Sequence, residues 1–514
     1  MSSESRHARE ALQLHYFFTS QRFGDTGGRL LHLLWETCAR VGMDTALQAD
    51  GELSLPTDLR DGVGFLFLRQ RADAAGARQA MLYRLHDVVG LTVMLSADEG
   101  PGRTAEQSAQ VLRALERNWE EACSQAAAVG NGGDAATDPS LLGSVRVYRS
   151  LSVPDGTSRP DSALMGEGLR RELSPQSQLS RPVETENGLT LWEITRSGKV
   201  LSARRDLLLT TVATDQQEGL LDDWSWHSEH GGLVPLTRYL IGAALIRENY
   251  RVRLDSAAAL SEHIDRLRRN GEELTRKWQE LTMSSATRPA IGRRALARWE
   301  RIAEQARQAL AEERLASATT HGLRTMTRSL EVASAGLRVL GASADGRPRV
   351  LDNDEELRVQ LAAVLDDDVT YLGIAREQVA EAARVATESA AQRLQSHQQY
   401  LSLIQTTVIG SVLLTLTAIQ ALAYKLPVPV RLHAPLIAVL GSLGLILPLL
   451  VVRRWRGGAG GRIGGVLEIG SLAVTGAAAG WLVGRALGHP IPSVLTGVVL
   501  LAVLGSLLTR KSSP

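Results

Sequence analysis

Four short stretches carry residue types that could do chemistry. His227-Ser-Glu-His230, which follows Trp224-Ser-Trp226, is the only compact set of metal-ligand side chains. A zinc site takes three or four ligands, and the catalytic HExxH pattern puts a glutamate directly after the first histidine. Neither condition is met. A polar, aromatic-rich loop is the better reading, with Trp224 and Trp226 as candidate partner-binding anchors, since tryptophan is favoured at interface centres. Gly100-Pro-Gly-Arg-Thr104 stands where a phosphate loop could precede a helix, but Ala97 occupies the place of the first glycine and Arg103 that of the lysine. A tight turn fits better. His86-Asp87 could orient an imidazole, yet no nucleophile is recognisable nearby. Asp366-Asp-Asp368 reads as a solvated helix face. No catalytic, cofactor-binding or metal-ligating residue is assigned, and no enzymatic activity is expected.

The elements that would position these residues divide the chain into four parts. Residues 1–128 read as an α+β head. LQLHYFF (12–18) suits a strand, and Leu30, Leu31, Leu34, Trp35, Cys38 and Val41 mark an amphipathic helix. Strands follow at 62–68, 79–85 and 88–95, and Thr104 is placed to cap a helix through Val111, Leu112, Leu115 and Trp119. After a glycine-rich linker (126–139) the pattern restarts in a second unit, 140–250. It has strands at 144–151, 189–195 and 204–212, loop between 154 and 187, and a helix at 236–250. Arg204-Arg-Asp-Leu-Leu-Leu-Thr-Thr-Val212 resembles Leu85-His-Asp-Val-Val-Gly-Leu-Thr-Val93, which suggests two related ferredoxin-like units.

From 252 to 400 apolar residues recur at helical spacing, with breaks at 284–292 and 343–354. This predicts a helical bundle or coiled-coil stalk. Residues 401–508 then hold four apolar runs, of which Leu401–Tyr424 has 24 residues without an ionised side chain. A spanning helix needs about 20 apolar residues, so a four-helix transmembrane region is expected. Gly476, Gly480 and Gly484 would form its helix-packing face, and Glu468 near Arg462 is read as hydrated at the interface. Seven cations on one side of the runs against three on the other predict cytoplasmic N- and C-termini. The inferred location is the inner (plasma) membrane, multi-pass.

Composition bounds the rest. The 514 residues carry a net charge of +1, which gives no field-based case for nucleic-acid binding. Two cysteines, outside any metal-ligand spacing, fit a reducing compartment. MSSESRHAREALQLHYFF contains no apolar core before a cleavage site, so no signal peptide is expected.

The head resembles the CATRA proteins, the caspase- and TPR-repeat-associated components of actinobacterial conflict systems. The likeness is carried by His15-Tyr-Phe-Phe18, Trp35, Cys38, Leu85-His-Asp-Val88 and Trp119. It implies a non-enzymatic partner of a caspase-like protease or TPR protein, acting in defence or programmed cell death. The resulting expectation is a membrane-anchored adaptor or sensor. Its head would bind a protein partner, its stalk would couple that head to the lipid bilayer, and it could form a homo-oligomer. The alternative is a pore-like effector whose transmembrane tail oligomerises on activation.

Overall fold

A computed structural model describes residues 6–20, 28–48, 51–56, 59, 64–98, 102–129, 138–153, 162–174, 182–194, 204–226, 232–287, 293–338, 351–423, 429, 432–442 and 462–487. The chain forms two compact units: Met1–Glu262 with Thr319–Tyr371, and His263–Ala318 with Leu372–Pro514.

The first unit is built on one sheet. In chain order its elements are β1 (Arg6–Thr19), α1 (Arg29–Arg40), β2 (Thr45–Ala46), β3 (Phe65–Ala72), β4 (Arg78–Leu85), β5 (Val88–Ser96), β6 (Arg103–Thr104) and α2 (Ala105–Val129). Then come β7 (Leu141–Val153), α3 (Ser162–Leu173), β8 (Val183–Glu184), β9 (Thr190–Glu193), β10 (Arg204–Val212) and α4 (Asp215–Ser225). The strand order is β2-β3-β4-β5-β1-β7-β10-β9-β8, with β6 paired to one end of β1. The two expected α+β units are therefore halves of a single sheet, joined where β1 and β7 run antiparallel. The halves differ in pairing sense: β5 is antiparallel to β1, whereas β10 is parallel to β7.

Side-chain alternation along β1 assigns the faces. Leu12, Leu14 and Phe18 join Leu91, Val93, Tyr148, Leu208, Leu112 and Trp119 in the core beneath α1, α2 and α3. Gln13 points the other way and donates to the Ser225 carbonyl of α4 at 3.3 Å. A bulge between Ala8 and Ala11 puts Arg9 at φ 52. It turns Glu10 toward α2, where Ser108 donates to it at 2.6 Å. Helix α2 begins with a capping box: Thr104 Oγ1 accepts from Gln107 N–H at 3.3 Å, and Gln107 Oε1 accepts from Thr104 N–H at 3.0 Å. Gly90 is required on β5, because a Cβ there would fall 2.2 Å from the Tyr83 ring.

Helices dominate the remainder: α5 (Pro235–Thr287), α6 (Arg293–Leu337), α7 (Asp352–Ala423), α8 (433–442) and α9 (Arg462–Leu487). The helix expected at 236–250 does not stop there. It is the first part of α5, which runs on without a break through the stretch expected to open the stalk. In the first unit α5 approaches α6 so closely that a Cβ on Gly242 would lie 2.6 Å from the Ala333 carbonyl oxygen. In the second unit α5 and α7 pack through Gly271 against Val379, and Trp278 Nε1 donates to Ser389 Oγ at 2.9 Å. Two helices were missed in the sequence, α3 inside the stretch read as loop and α4 after β10.

The tail requires a correction. Among the described residues no helix is long and apolar enough to cross a membrane. This removes support for the four-helix transmembrane region, for the multi-pass inner-membrane location and for the pore-like alternative. The end of α7 mixes Ser402, Gln405, Thr406, Thr407, Ser411, Thr415, Thr417 and Gln420 among its aliphatic residues. Helix α9 is diluted by glycine and alanine and carries Glu468 and Arg485, and of the run expected at 434–452 the part from 443 onward lies outside the described residues. The run at 491–508 lies outside the described residues.

Candidate functional site

The most heavily worked polar site of the first unit lies where β9 and β10 meet α5 and the start of α7. The pleat of β10 turns Arg205 toward the helices and Arg204 toward α2. Glu193, at the end of β9, reaches the same side as Arg205. On α5 the buried residues Leu236, Tyr239, Leu240, Ala243 and Ile246 recur at helical spacing and set its inward face. Tyr239 and Arg247 share that face. Asp354 enters from the first turn of α7.

These residues form a closed network. Arg205 pairs with Glu193 at 2.9 Å and with Asp354 at 3.0 Å. Arg247 pairs with Asp354 at 2.8 Å and approaches Glu193 at 3.6 Å. The Tyr239 hydroxyl donates to Asp354 Oδ2 at 2.6 Å and accepts from the Leu351 N–H at 3.1 Å. Asn353 donates to Glu193 Oε2 at 3.0 Å. All four ionic side chains are at most 8% exposed, so two positive and two negative charges balance out of water.

Burial raises the energy of each charge, and the partners decide the outcome. Burial works against the Asp354 carboxylate, but Arg205 and Arg247 outweigh it and hold its pKa below the ordinary range. Arg205 is likewise penalised by burial and more than compensated by Asp354 and Glu193, which push it up. Arg247 goes the other way, because burial and repulsion from Arg205 exceed its attraction to the same acids. Burial, and then the Asp354 charge, keep the Tyr239 hydroxyl protonated by raising its pKa well above the usual value. The group can therefore hold elements together by charge, with no proton moving at neutral pH.

On the opposite face Arg204 bonds Asp206 at 3.0 Å and Glu116 at 2.6 Å, and Arg146 also pairs with Glu116. The Tyr148 hydroxyl donates to Glu116 Oε2 at 3.0 Å. The two consecutive arginines of β10 thus tie the sheet to helices on both sides.

The residues singled out by sequence fall elsewhere. Trp224 is buried on α4, and Trp226 is half-buried with its indole N–H donated to Gln79 at 3.2 Å. His227 and His230 lie outside the described residues. His86 sits in the β4–β5 turn at φ 54, where its ring Nδ1 accepts from the Gly64 N–H at 3.3 Å, and the Asp87 carbonyl accepts from Ser20 N–H at 2.8 Å. Arg103 of the glycine turn pairs with Glu10 at 2.5 Å. Asp368 is not solvated but pairs with Arg253 at 2.8 Å. Gly476, Gly480 and Gly484 fall on one buried face of α9. Among the described residues no cluster of three or more metal-ligating side chains occurs.

Glu193, Arg205, Tyr239, Arg247 and Asp354 escaped the sequence reading. A signal was present for three of them. Glu193 interrupts a strand-like apolar run, Arg205 lies in a charged triplet that opens one, and Arg247 interrupts an apolar helix face. Ionised groups in such settings are costly unless paired.

Two family models match the chain. The CASPASE and TPR Repeat-Associated N-terminal domain, CATRA-N, matches residues 11–229, and the CASPASE and TPR Repeat-Associated C-terminal domain, CATRA-C, matches residues 234–379. The first contains Glu193 and Arg205, and the second contains Tyr239, Arg247 and Asp354. No curated protein and no solved structure matches the chain.

Proposed function

This chain belongs to the CASPASE and TPR repeat-associated family, and from that premise we propose that it is a non-enzymatic adaptor or sensor of a bacterial conflict system. The CATRA domains tie it to a caspase and TPR conflict system, and the adaptor role is our reading of its construction. The observation that carries it is the buried network itself. Arg205 of the N-terminal domain and Asp354 of the C-terminal domain share an ion pair at 3.0 Å inside one compact unit. A partner that shifts β9 and β10 would have to drag α5 and α7 with it, or break buried charge pairs at a cost of about 3–5 kcal/mol. Such a linkage suits a protein that receives a partner on one domain and presents the result on another. The partner on this reading is a caspase-like protease or a TPR-containing protein.

The test is affinity capture of the full chain from its own cells, followed by identification of stoichiometric companions. A caspase-like or TPR-containing protein should be retained, and should be lost or weakened with Asp354→Ala. Capture with no such companion, or turnover of a small-molecule substrate by the isolated chain, would overturn the reading.

A further inference from the structure

The second unit carries an unused cationic surface. Between residues 276 and 307 the sequence holds eight cations and three acids. The end of α5 and the start of α6 enclose an open cavity of about 460 Å³, lined by Lys277, Glu280, Arg298 and Arg301 together with Leu281 and Ile302. Arg298 is exposed and has no ion pair or hydrogen bond among the described residues. Lys277 is held only by an exposed pair with Glu273 at 2.5 Å, which is of little energetic consequence. Arg301 spends one N–H on the Ala297 carbonyl at 3.1 Å.

A second observation lies beside it. Helices α5 and α7 advance together in this unit, Gly271 level with Val379 and Trp278 with Ser389. At equal rise per residue, the end of α5 is level with the part of α7 just before Leu401. There α7 changes character. Leu401, Leu403, Ile409, Val412, Leu413 and Leu416 are all about half exposed. At 3.6 residues per turn they span about 200° of the helix, wider than the roughly 100° stripe of an ordinary amphipathic helix. Between Glu388 and Glu468, neither included, the chain contains no acid and seven cations.

We propose that this end of the second unit is a docking surface for an anionic phospholipid surface. The Lys277, Arg298 and Arg301 cavity would meet headgroup phosphates and the start of the exposed apolar helix would meet the acyl boundary. The chemistry selects among partners. A protein groove covers one apolar stripe of a helix, and nucleic-acid phosphates do not cover aliphatic side chains. A headgroup layer offers negative charge and apolar depth in the same place. The association asks for contact with that surface and for no helix that crosses it. It stands on observations separate from those behind the adaptor reading, and either can fail alone.

Flotation of the full chain with vesicles tests it, using phosphatidylcholine alone and phosphatidylcholine with about 30 mol% phosphatidylglycerol. Binding should require the anionic lipid and weaken as salt rises from about 0.1 to 0.5 M. The triple variant K277E/R298E/R301E should lose at least about tenfold in partition, since each surface cation is worth roughly fivefold. Its circular dichroism and melting should match the parent, as Arg298 and Arg301 are exposed and Lys277 is half-buried with only an exposed pair to Glu273. E280K should tighten binding by several fold, which keeps the proposal falsifiable if the triple variant misfolds. Equal binding to neutral vesicles, no response to either charge change, or stronger binding to duplex DNA or polyglutamate than to anionic vesicles would overturn it.

Discussion

Arg204 and Arg205 are consecutive residues of β10, and the pleat sends them to opposite faces of one sheet. Arg205 enters a site whose acids, Glu193 and Asp354, are 8% and 1% exposed. Arg204 enters a more open one, where Asp206 and Glu116 are buried but Glu120, at 3.6 Å, is half exposed. In both, acids offset the burial penalty on the arginine and raise its pKa. The difference is what remains when a partner is removed. Around Glu116, Arg146 and the Tyr148 hydroxyl would still satisfy the carboxylate. Around Arg205, four charges depend on one another with little access for water. Buried pairs of the second kind contribute modestly while intact and are severe to break.

The largest effect should follow removal of the central acid. Asp354→Ala leaves two arginines and the Tyr239 hydroxyl without their shared acceptor, and is expected to cost about 3–5 kcal/mol. Urea unfolding of the full chain, followed by circular dichroism, would measure it. A loss below about 1 kcal/mol would erase the distinction between the two faces.

Acid should weaken the unit through β1, which crosses the same comparison. His7 is buried among Ser150, Ser152 and Glu10 on the α2 side, and His15 lies on the other face against Thr92. Burial depresses both, to about 4 for His7 despite the opposing Glu10 charge, and to about 3 for His15. The unfolded chain therefore binds protons first, near pH 6.5. Stability is fully present above that value and falls as pH drops toward 4 and then 3. His7 alone should account for on the order of 3 kcal/mol across its window. Melting temperature against pH checks this, and His15→Gln should flatten the slope from about pH 6.5 down to 3, most visibly below 4, where His7 no longer contributes.

Two glycines extend the comparison to packing. A Cβ at Gly242 would meet a backbone oxygen of α6 at 2.6 Å, whereas at Gly166 it would meet the Thr210 hydroxyl at 2.7 Å and the Trp192 indole at 2.9 Å. Side chains can turn aside more readily than a helix backbone. Gly242→Ala should cost about 1–3 kcal/mol, and Gly166→Ala less. Equal losses would mean that α3 is held as firmly as the α5–α6 crossing.

What sequence made legible follows the range over which each signal acts. Strand alternation and the Thr104 cap are local signals, and both appear in the structure, whereas the expected breaks at 284–292 and 343–354 fall largely outside the described residues. Helix α3 lies inside 154–187, which reads as loop because of its four prolines, and Gly166 is there for its close approach to Thr210 and Trp192. The continuity of α5 past Tyr250 was hidden because its face changes partner there while its period does not. The network of Arg205 and Asp354 joins residues 149 apart, a separation at which no periodicity speaks. The transmembrane expectation for the tail rests on apolar length alone, and among the described residues no helix is long and apolar enough to cross a membrane.

The smallest expected effect tests the other arginine of the pair. Arg204→Ala removes contacts to Asp206 and Glu116 but leaves Glu116 with Arg146 and Tyr148. Arg204 is 29% exposed and Glu120 is half exposed, so solvent screens much of what is lost. About 1 kcal/mol or less is expected, and added salt should shrink it further because the pairs are reachable by counterions. Measuring Arg204→Ala and Arg205→Ala side by side at about 0.05 and 0.5 M salt separates the two faces. The first should lose most of its small penalty at the higher salt, while the second should keep a penalty of about 3 kcal/mol or more at both. If both penalties respond alike to salt, the helix-facing charges are reached by water and ions, and β10 is held in the same way on its two sides.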